Sequence, residues 1–227
     1  ADILGMYVSE QNAGEVENRG WEFELTYKDQ IGDFSYNIRP TFSINHNEVV
    51  NLAGVEKDIS QGLFVGEPLS SIYGYETDGL FVDQEDIDNY AEQNYPAEPG
   101  LIRYKDISGP NGQPDGEVTA EHDRNVIGNQ FPKYSYGLGI TANYSNFDFY
   151  LQLAGQGGYQ KLLSNFQLPF WNQGNAEQWH VENAWTKENP NRNAEYPKLT
   201  PTSHGSGIPW GGIMNLEYWL QNASFLR

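Results

Sequence analysis

Residues 20–42 read GWEFELTYKDQIGDFSYNIRPTF. Trp21, Phe23, Leu25 and Tyr27 fall at every second position, with Glu22, Glu24, Thr26 and Lys28 between them. Successive side chains of a strand point to opposite faces, so this spacing makes one aromatic and one polar face. The alternation resumes beyond KDQIGD. Phe34, Tyr36, Ile38, Pro40, Phe42 and Ile44 alternate with Ser35, Asn37, Arg39, Thr41, Ser43 and Asn45. The pattern predicts two long antiparallel strands joined by a polar turn over residues 28–33. Pro40 brings no N–H to the ladder, which predicts a bulge or a locally unpaired position there.

A second pair of the same kind lies far downstream. Tyr134, Tyr136, Leu138, Ile140, Ala142 and Tyr144 alternate with small and polar residues up to a minimal turn at Ser145-Asn146. Phe147, Phe149, Leu151 and Leu153 then alternate with Asp148, Tyr150, Gln152 and Ala154. A further strand is expected to begin near Tyr218.

Two long irregular stretches, residues 47–133 and 157–216, separate these strands. Connections beyond about 15 residues are uncommon in compact domains. The first holds a short acidic helix pattern in VDQEDIDNYAEQNYP, with Asp83 as N-cap and Ile87, Tyr90 and Ala91 on one side. The second holds another in NAEQWHVENAWTKENP, with Asn175 as N-cap and Pro190 beyond its end.

Tight turns alternating with very long loops are the layout of an outer-membrane β-barrel. Both tight turns would then be periplasmic, with an even number of strands, zero included, between them. Tyr27, Phe34, Tyr36, Tyr144 and Phe147 stand near the turns, where an interfacial aromatic girdle belongs. The fold class expected is all-β, part of a transmembrane antiparallel barrel with long extracellular loops carrying short helices. A soluble β-sandwich, such as a glycan-binding module or a hydrolase domain, shares the alternation and is the alternative.

Composition sets limits. The 227 residues suffice for one large β domain or two small ones. Lys and Arg number 13 against 31 Asp and Glu, a net charge of −18. So acidic a chain does not favour nucleic acid, whose phosphates call for cations. There is no cysteine, hence no disulfide framework and no thiolate chemistry. No apolar run reaches the roughly 18 residues of a transmembrane helix. Aromatic residues are 14 % of a chain that is only 38 % hydrophobic, an excess that ordinary soluble cores do not need. The chain opens ADILGMYVSE, without a signal-peptide pattern, and closes at NASFLR within a strand-like pattern, as expected of a piece of a longer polypeptide.

Several stretches resemble the SusC/RagA family of TonB-dependent outer-membrane transporters of Bacteroidetes. They are NAGEVENRGWEFELTY (12–27), INHNEVVNL (44–52), GEPLSSIYGYETDGLF (66–81), the run from PGLIRYKDISGPNG to YLQLAGQGG (99–158), ENAWTKENPNRNAEYPKL (182–199) and WLQNASFLR (219–227). The resemblance implies a 22-stranded barrel closed by an N-terminal plug. It implies nutrient import under a SusD-like lipoprotein lid, energised by TonB-ExbB-ExbD. Residues 1–227 would form only part of the C-terminal half of that barrel, without plug, TonB-interacting segment or final strands. The expected function is therefore TonB-dependent uptake of glycan or peptide oligomers across the outer membrane, and not enzymatic.

Three constellations are candidate sites. KDISGPNGQPDGEVTAEHDR looks like a stretched calcium loop, with Asp106, Asn111, Asp115 and Asp123 as oxygen ligands and Gly116 for the turn. The family's compact D-x-N-x-D-G version is lengthened here, which puts the first ligands in doubt. Residues 83–123 hold eleven acidic and two basic side chains, so a solvated acidic loop would look alike. The aromatic loop FQLPFWNQGNAEQWHVENAW offers Trp171, Asn172, Gln173, Trp179 and His180 to a sugar or peptide; Trp179 and Trp185 would equally serve as packing of the loop itself. Glu22, Glu24, Asn37, Arg39, Asp148 and Gln152 would face the barrel lumen, since mid-strand charge is costly against lipid. His46, His122, His180 and His204 are scattered, and no nucleophile elbow, zinc motif or phosphate loop occurs.

Overall fold

A computed structural model of the chain describes residues 14–163, 168–170, 175–200 and 216–227. The elements in chain order are β1 (Gly14–Glu24), β2 (Tyr27–Ile31), β3 (Phe34–Leu52), β4 (Lys57–Asp58), β5 (Leu63–Phe64), β6 (Ser71–Tyr75) and β7 (Thr77–Leu80). Helix α1 (Gln84–Asp88), β8 (Ile102–Tyr104), β9 (Arg124–Asn129), β10 (Tyr134–Tyr144), β11 (Phe147–Gly157) and β12 (Gln160–Leu162) follow. Helix α2 (Gln178–Glu182), a single 3-10 turn at Glu217–Trp219, β13 (Leu220–Asn222) and β14 (Phe225–Leu226) complete the set. No helix among the described residues is long and apolar enough to cross a membrane, which says nothing of strands.

The chain divides into two units. The first comprises residues 1–71, 131–157 and 225–227; the second comprises 72–130 and 158–224. In the first, one antiparallel sheet runs β1-β3-β10-β11-β14, with β2 also paired to β3. The two halves of the sheet, with 81 residues of chain between β3 and β10, meet directly: Phe34 faces Tyr144, Ile38 faces Ile140 and Ile44 faces Tyr134. No strand intervenes, so the two tight turns lie side by side at one end of the sheet.

Both turns are shorter than or equal to what the alternation predicts. The first is Gly32-Asp33 alone, with Gly32 at φ 61, the conformation a two-residue hairpin wants at its first position. Lys28–Ile31 continue the strand, because Lys28 and Gln30 still occupy its polar face opposite Asn37 and Ser35. The second turn is Ser145-Asn146, with Ser145 at φ 52.

Pro40 makes no bulge. The register runs unchanged past it, from Glu24 facing Thr41 to Tyr27 facing Ile38. The Leu25 N–H donates to the Pro40 carbonyl at 3.2 Å, and the return bond to the Leu25 carbonyl is the one proline forfeits. That single gap divides β1 from β2. The bulge in this hairpin lies elsewhere, at Glu15/Val16.

In the second unit a core of buried side chains collects Tyr75, Leu80, Ile102, Tyr104, Trp185, Tyr196, Leu216 and Trp219. The Tyr75 and Tyr104 rings stack at 4.7 Å. Helix α1 is capped by Asp83, whose carboxylate accepts from the Asp86 N–H at 2.8 Å. It ends after five residues, so Tyr90 and Ala91 lie beyond it. The N-cap of helix α2 is Glu177, not Asn175: the Glu177 N–H donates to His180 Nδ1 at 3.0 Å, closing the first turn. The strand expected near Tyr218 is instead a 3-10 turn followed by two short strands, β13 on β12 and β14 on β11.

Candidate functional site

Directly opposed residues of an antiparallel pair point to the same face, so the register sorts the first unit's side chains without ambiguity. One face carries Trp21, Phe23, Phe42 and Ile44, then Phe34, Tyr36, Ile38, Tyr134, Leu138, Ile140, Phe147, Phe149 and Leu151. The other carries Glu22 opposite Ser43, Glu24 opposite Thr41, Arg39 opposite Gly139, Asn37 opposite Thr141, and Asp148 opposite Asn143. Gln152 stands opposite Gly139 on the same face. All six residues expected to line a lumen therefore share one surface.

Both faces of the sheet are open, the apolar one included: Trp21 is 70 % exposed, Phe23 59 % and Phe147 78 %. The second unit, by contrast, hides Tyr75, Tyr104 and Trp219 at 2 % exposure or less. An apolar surface this wide, rimmed by charge, is one built to be covered.

Its limits are sharp. At the turn end Tyr27, Phe34, Tyr36, Tyr144 and Phe147 form an aromatic rim, with Phe34 and Tyr36 stacked at 5.6 Å. At the other end the same face switches to charge: Arg19 faces His46 and Glu17 faces Glu48. The apolar band in β3 thus runs from Phe34 to Ile44, eleven residues. At about 3.4 Å per residue and a tilt of about 40°, that is a band about 26 Å tall, the apolar height of an outer-membrane barrel.

On the polar face a hollow of about 780 Å³ opens over β3, β10 and β11, closed at one end by Phe225 and Arg227. Arg39 Nε donates to Glu24 Oε1 at 2.8 Å along its rim. Tyr150, 67 % exposed, stands on this face and its hydroxyl donates to Gln152 Oε1. Gly139 leaves the floor open, whereas at Gly137 the Thr41 hydroxyl lies 2.7 Å from where a Cβ would sit. Sequence reasoning passed over Tyr150 and both glycines as site residues; their parity with Asp148, Gln152 and Arg39 is the signal that places them.

The acidic loop is organised around Asp123, which is fully buried. Its Oδ1 accepts from the Ile107 and Ser108 N–H groups at 2.8 and 3.2 Å. Its Oδ2 accepts from the Thr119 N–H at 2.6 Å and the Thr119 hydroxyl at 3.3 Å. These four donors match the lone pairs of a carboxylate, so Asp123, expected as a calcium ligand, here staples the loop internally. Asp106 Oδ2 accepts from the Gly116 N–H at 2.7 Å, and Asp115 Oδ1 from the Glu117 N–H at 3.1 Å. Asn111 is exposed. Among the described residues no three His, Cys, Asp or Glu side chains converge as a metal-binding group.

In the aromatic loop, Trp171, Asn172 and Gln173 lie outside the described residues. Trp179 is 39 % exposed, whereas His180 is buried at 1 % against the rings of Trp179 and Tyr196, with centroids 3.8 and 4.9 Å away. His180 therefore packs the loop and is shut off from a surface ligand. Trp185 is buried as well. Burial, followed by the neighbouring Glu195 charge, pushes the Tyr196 phenol up to about 12, so it is a neutral packing group.

Sequence reading gives no sign of the ionic knot around Arg103. This side chain is 8 % exposed; its guanidinium meets Asp86 Oδ1 at 2.7 Å and Asp78 Oδ2, and lies 4.1 Å from the centroid of the Tyr90 ring. Arg192 reaches the same Asp86 oxygen at 2.9 Å.

No protein-family model matches the chain. Two TonB-dependent receptors of Formosa agariphila are each 29 % identical to it, over 79 % and 83 % of this chain and 19 % and 20 % of theirs. The chain thus spans about one fifth of the length of these curated relatives. Among solved structures, the RagAB peptide transporter superposes with a TM-score of 0.62 at 18 % identity, covering the whole of this chain and 24 % of that one. The RagAB peptide importer in its closed-closed state gives 0.67 at 20 %, again over the whole of this chain and 24 % of the other. At such identity the structural likeness establishes the fold. These similar proteins are receptors and transporters, not enzymes.

Proposed function

We propose that this chain, a SusC/RagA-like relative of the TonB-dependent receptors, forms part of the wall of an outer-membrane importer. The observation that carries the reading is the two-faced sheet: an exposed apolar band of bilayer height, bounded by an aromatic rim and a charged rim, backed by a polar face. In water such a sheet is unstable and sticky; in a barrel the band meets lipid and the polar face meets the aqueous lumen. The open outer edge of β1 would pair with a neighbouring strand of the whole receptor, since only closure removes edges in a bilayer. The Gly32 and Ser145 turns lie at the periplasmic rim. The whole receptor takes up glycan or peptide oligomers, with a SusD-like lipoprotein as partner and TonB-ExbB-ExbD as the energy source.

The test uses the full receptor. Ile140 lies mid-band, opposite Ile38 and Leu151, and Thr141 lies on the polar face opposite Asn37 and Tyr150. Ile140→Arg places a cation at the bilayer midplane and costs about 2–4 kcal/mol, while Thr141→Arg stays wet. The folded, heat-modifiable form recovered from outer membranes falls for Ile140→Arg and holds for Thr141→Arg. Equal recovery of the two would defeat the barrel reading.

A further inference from the structure

We propose that Asp29, with the rings of Tyr27 and Tyr36, is a site for the headgroup of a zwitterionic lipid that carries a primary ammonium, an ethanolamine lipid. The inference rests on the apolar face meeting the bilayer, and it adds a ligand to the outside of the wall. Asp29 faces Tyr36 and so belongs to the apolar face, with Tyr27 and Ile31 on either side of it along β2. On that face, from Trp21 to Ile31, from Phe34 to Ile44 and through β10 and β11, it is the one acid or base apart from tyrosine among the described residues. Lys28 and Gln30 belong to the other face, opposite Asn37 and Ser35. An ionisable group is costly on a lipid face and calls for a reason there. Asp29 has no long stem with which to reach water, as a lysine or arginine would. The next pair toward the turn is apolar again, Ile31 opposite Phe34.

The carboxylate is exposed and loosely held. Its Oδ2 meets the Tyr27 hydroxyl at 3.2 Å and the Tyr36 hydroxyl at 3.5 Å, whereas a hydroxyl bound firmly to a carboxylate comes to about 2.6 Å. Its Oδ1 accepts from the N–H of Gln30, the next residue, at 2.8 Å. An ionised carboxylate has room for about four donors, so most of its capacity is free. No salt bridge reaches Asp29 among the described residues. Asp123 is the contrast, with both oxygens engaged inside its own loop. Aromatic rings stand around Asp29. The Tyr27 and Tyr36 centroids lie 6.0 Å apart, and Phe34 stacks on Tyr36 at 5.6 Å. A carboxylate beside tilted ring faces suits an alkylammonium. Its charge meets the anion, its N–H groups donate to Oδ2 and the phenol oxygens, and the rings add cation–π attraction. At the depth of an aromatic girdle, the alkylammonium at hand is a lipid's ethanolamine, whose acyl chains lie along the apolar band beside it. An anionic headgroup is repelled by the same carboxylate.

The test places the full receptor in nanodiscs of mixed phosphatidylethanolamine and phosphatidylglycerol. Two photoreactive lipids are compared, each with a diazirine near the top of one acyl chain, one with an ethanolamine and one with a glycerol headgroup. Labelling of the β2–β3 hairpin is mapped by mass spectrometry and divided by labelling of β10 and β11, which share the apolar face. In the native receptor the ethanolamine probe labels the hairpin about three-fold or more above the glycerol probe. Asp29→Asn, which keeps the shape and removes the charge, brings the two probes level. Folded state is read by heat-modifiable mobility, and Asp29→Ser carries the comparison if Asp29→Asn does not assemble. Equal labelling by both probes in the native receptor overturns the proposal, and so does a preference that the folded variant leaves in place. Failure of the bilayer reading has a different signature: neither probe then labels the hairpin, β10 or β11.

Discussion

At the scale of single residues, Arg103 ties β7, α1 and β8 together through Asp78 and Asp86. Removing a buried partner leaves the other charge uncompensated, and the half-exposed Asp78 discounts the effect. Arg103→Ala is expected to cost the second unit about 2–3 kcal/mol, seen as faster proteolytic cleavage of this region in the intact receptor. Asp86 adds a pH dependence. Burial raises its carboxyl, but the Arg192 and Val82 hydrogen bonds and the Arg103 and Arg192 charges outweigh this and hold it below the ordinary value. A depressed carboxyl stabilises the fold above its unfolded pKa of about 4, and that contribution is lost as pH falls through the folded pKa. Cleavage of this region therefore rises below about pH 4, and Arg192→Met, by letting the folded carboxyl move back toward its ordinary value, makes that rise smaller. None of this was legible in the sequence. Arg103 stands among acidic residues as one of two bases, its partners Asp78 and Asp86 lie 25 and 17 residues back in the chain, and Arg192, which shares Asp86, lies 106 residues beyond that aspartate.

At the scale of elements, strand phase was readable and element ends were not. Lys28 and Gln30 look like loop residues because they are polar, yet polarity is what the wet face of a strand requires. Conversely α1 and α2 stop after five residues each, because half-buried Tyr90 and buried Trp185 pack against tertiary neighbours instead of prolonging a helix. Pro40 gives the clearest prediction. Pro40→Val supplies the N–H that the Leu25 carbonyl lacks, with the register already in place. The change joins β1 to β2 and raises stability by about 1 kcal/mol, measured by thermal unfolding of the full receptor in detergent. Gly155 acts in the opposite sense. A Cβ there would come within 2.5 Å of the Tyr136 ring, so Gly155→Val displaces that ring and its hydrogen bond to the Phe225 carbonyl. The barrel variant then loses stability by about 1–3 kcal/mol in the same assay.

At the scale of the whole molecule, the contrast between tryptophans is decisive. Trp21 is 70 % exposed on the apolar band, whereas Trp185 and Trp219 are buried in the second unit's core at 4 % and 2 %. In the receptor reconstituted with brominated lipid, a variant retaining Trp21 as its sole tryptophan is quenched, and one retaining Trp219 is not. Matching quenching of both would contradict the assignment of faces. The sequence by itself determined the alternation, the two tight turns, the sorting of Glu22, Glu24, Asn37, Arg39, Asp148 and Gln152 to one side, and the family resemblance. These depend only on the period-two geometry of a strand and on local turn chemistry, which neighbouring residues specify. The tertiary structure alone decided that β3 pairs directly with β10, that the apolar band ends at Arg19 and His46, and that Gly139 floors a trough between Arg39 and Gln152. It also decided that Asp123 and His180 turn inward. Pairing across 81 residues of intervening chain and the burial of a polar side chain are set by which surfaces meet, and no local pattern encodes that meeting.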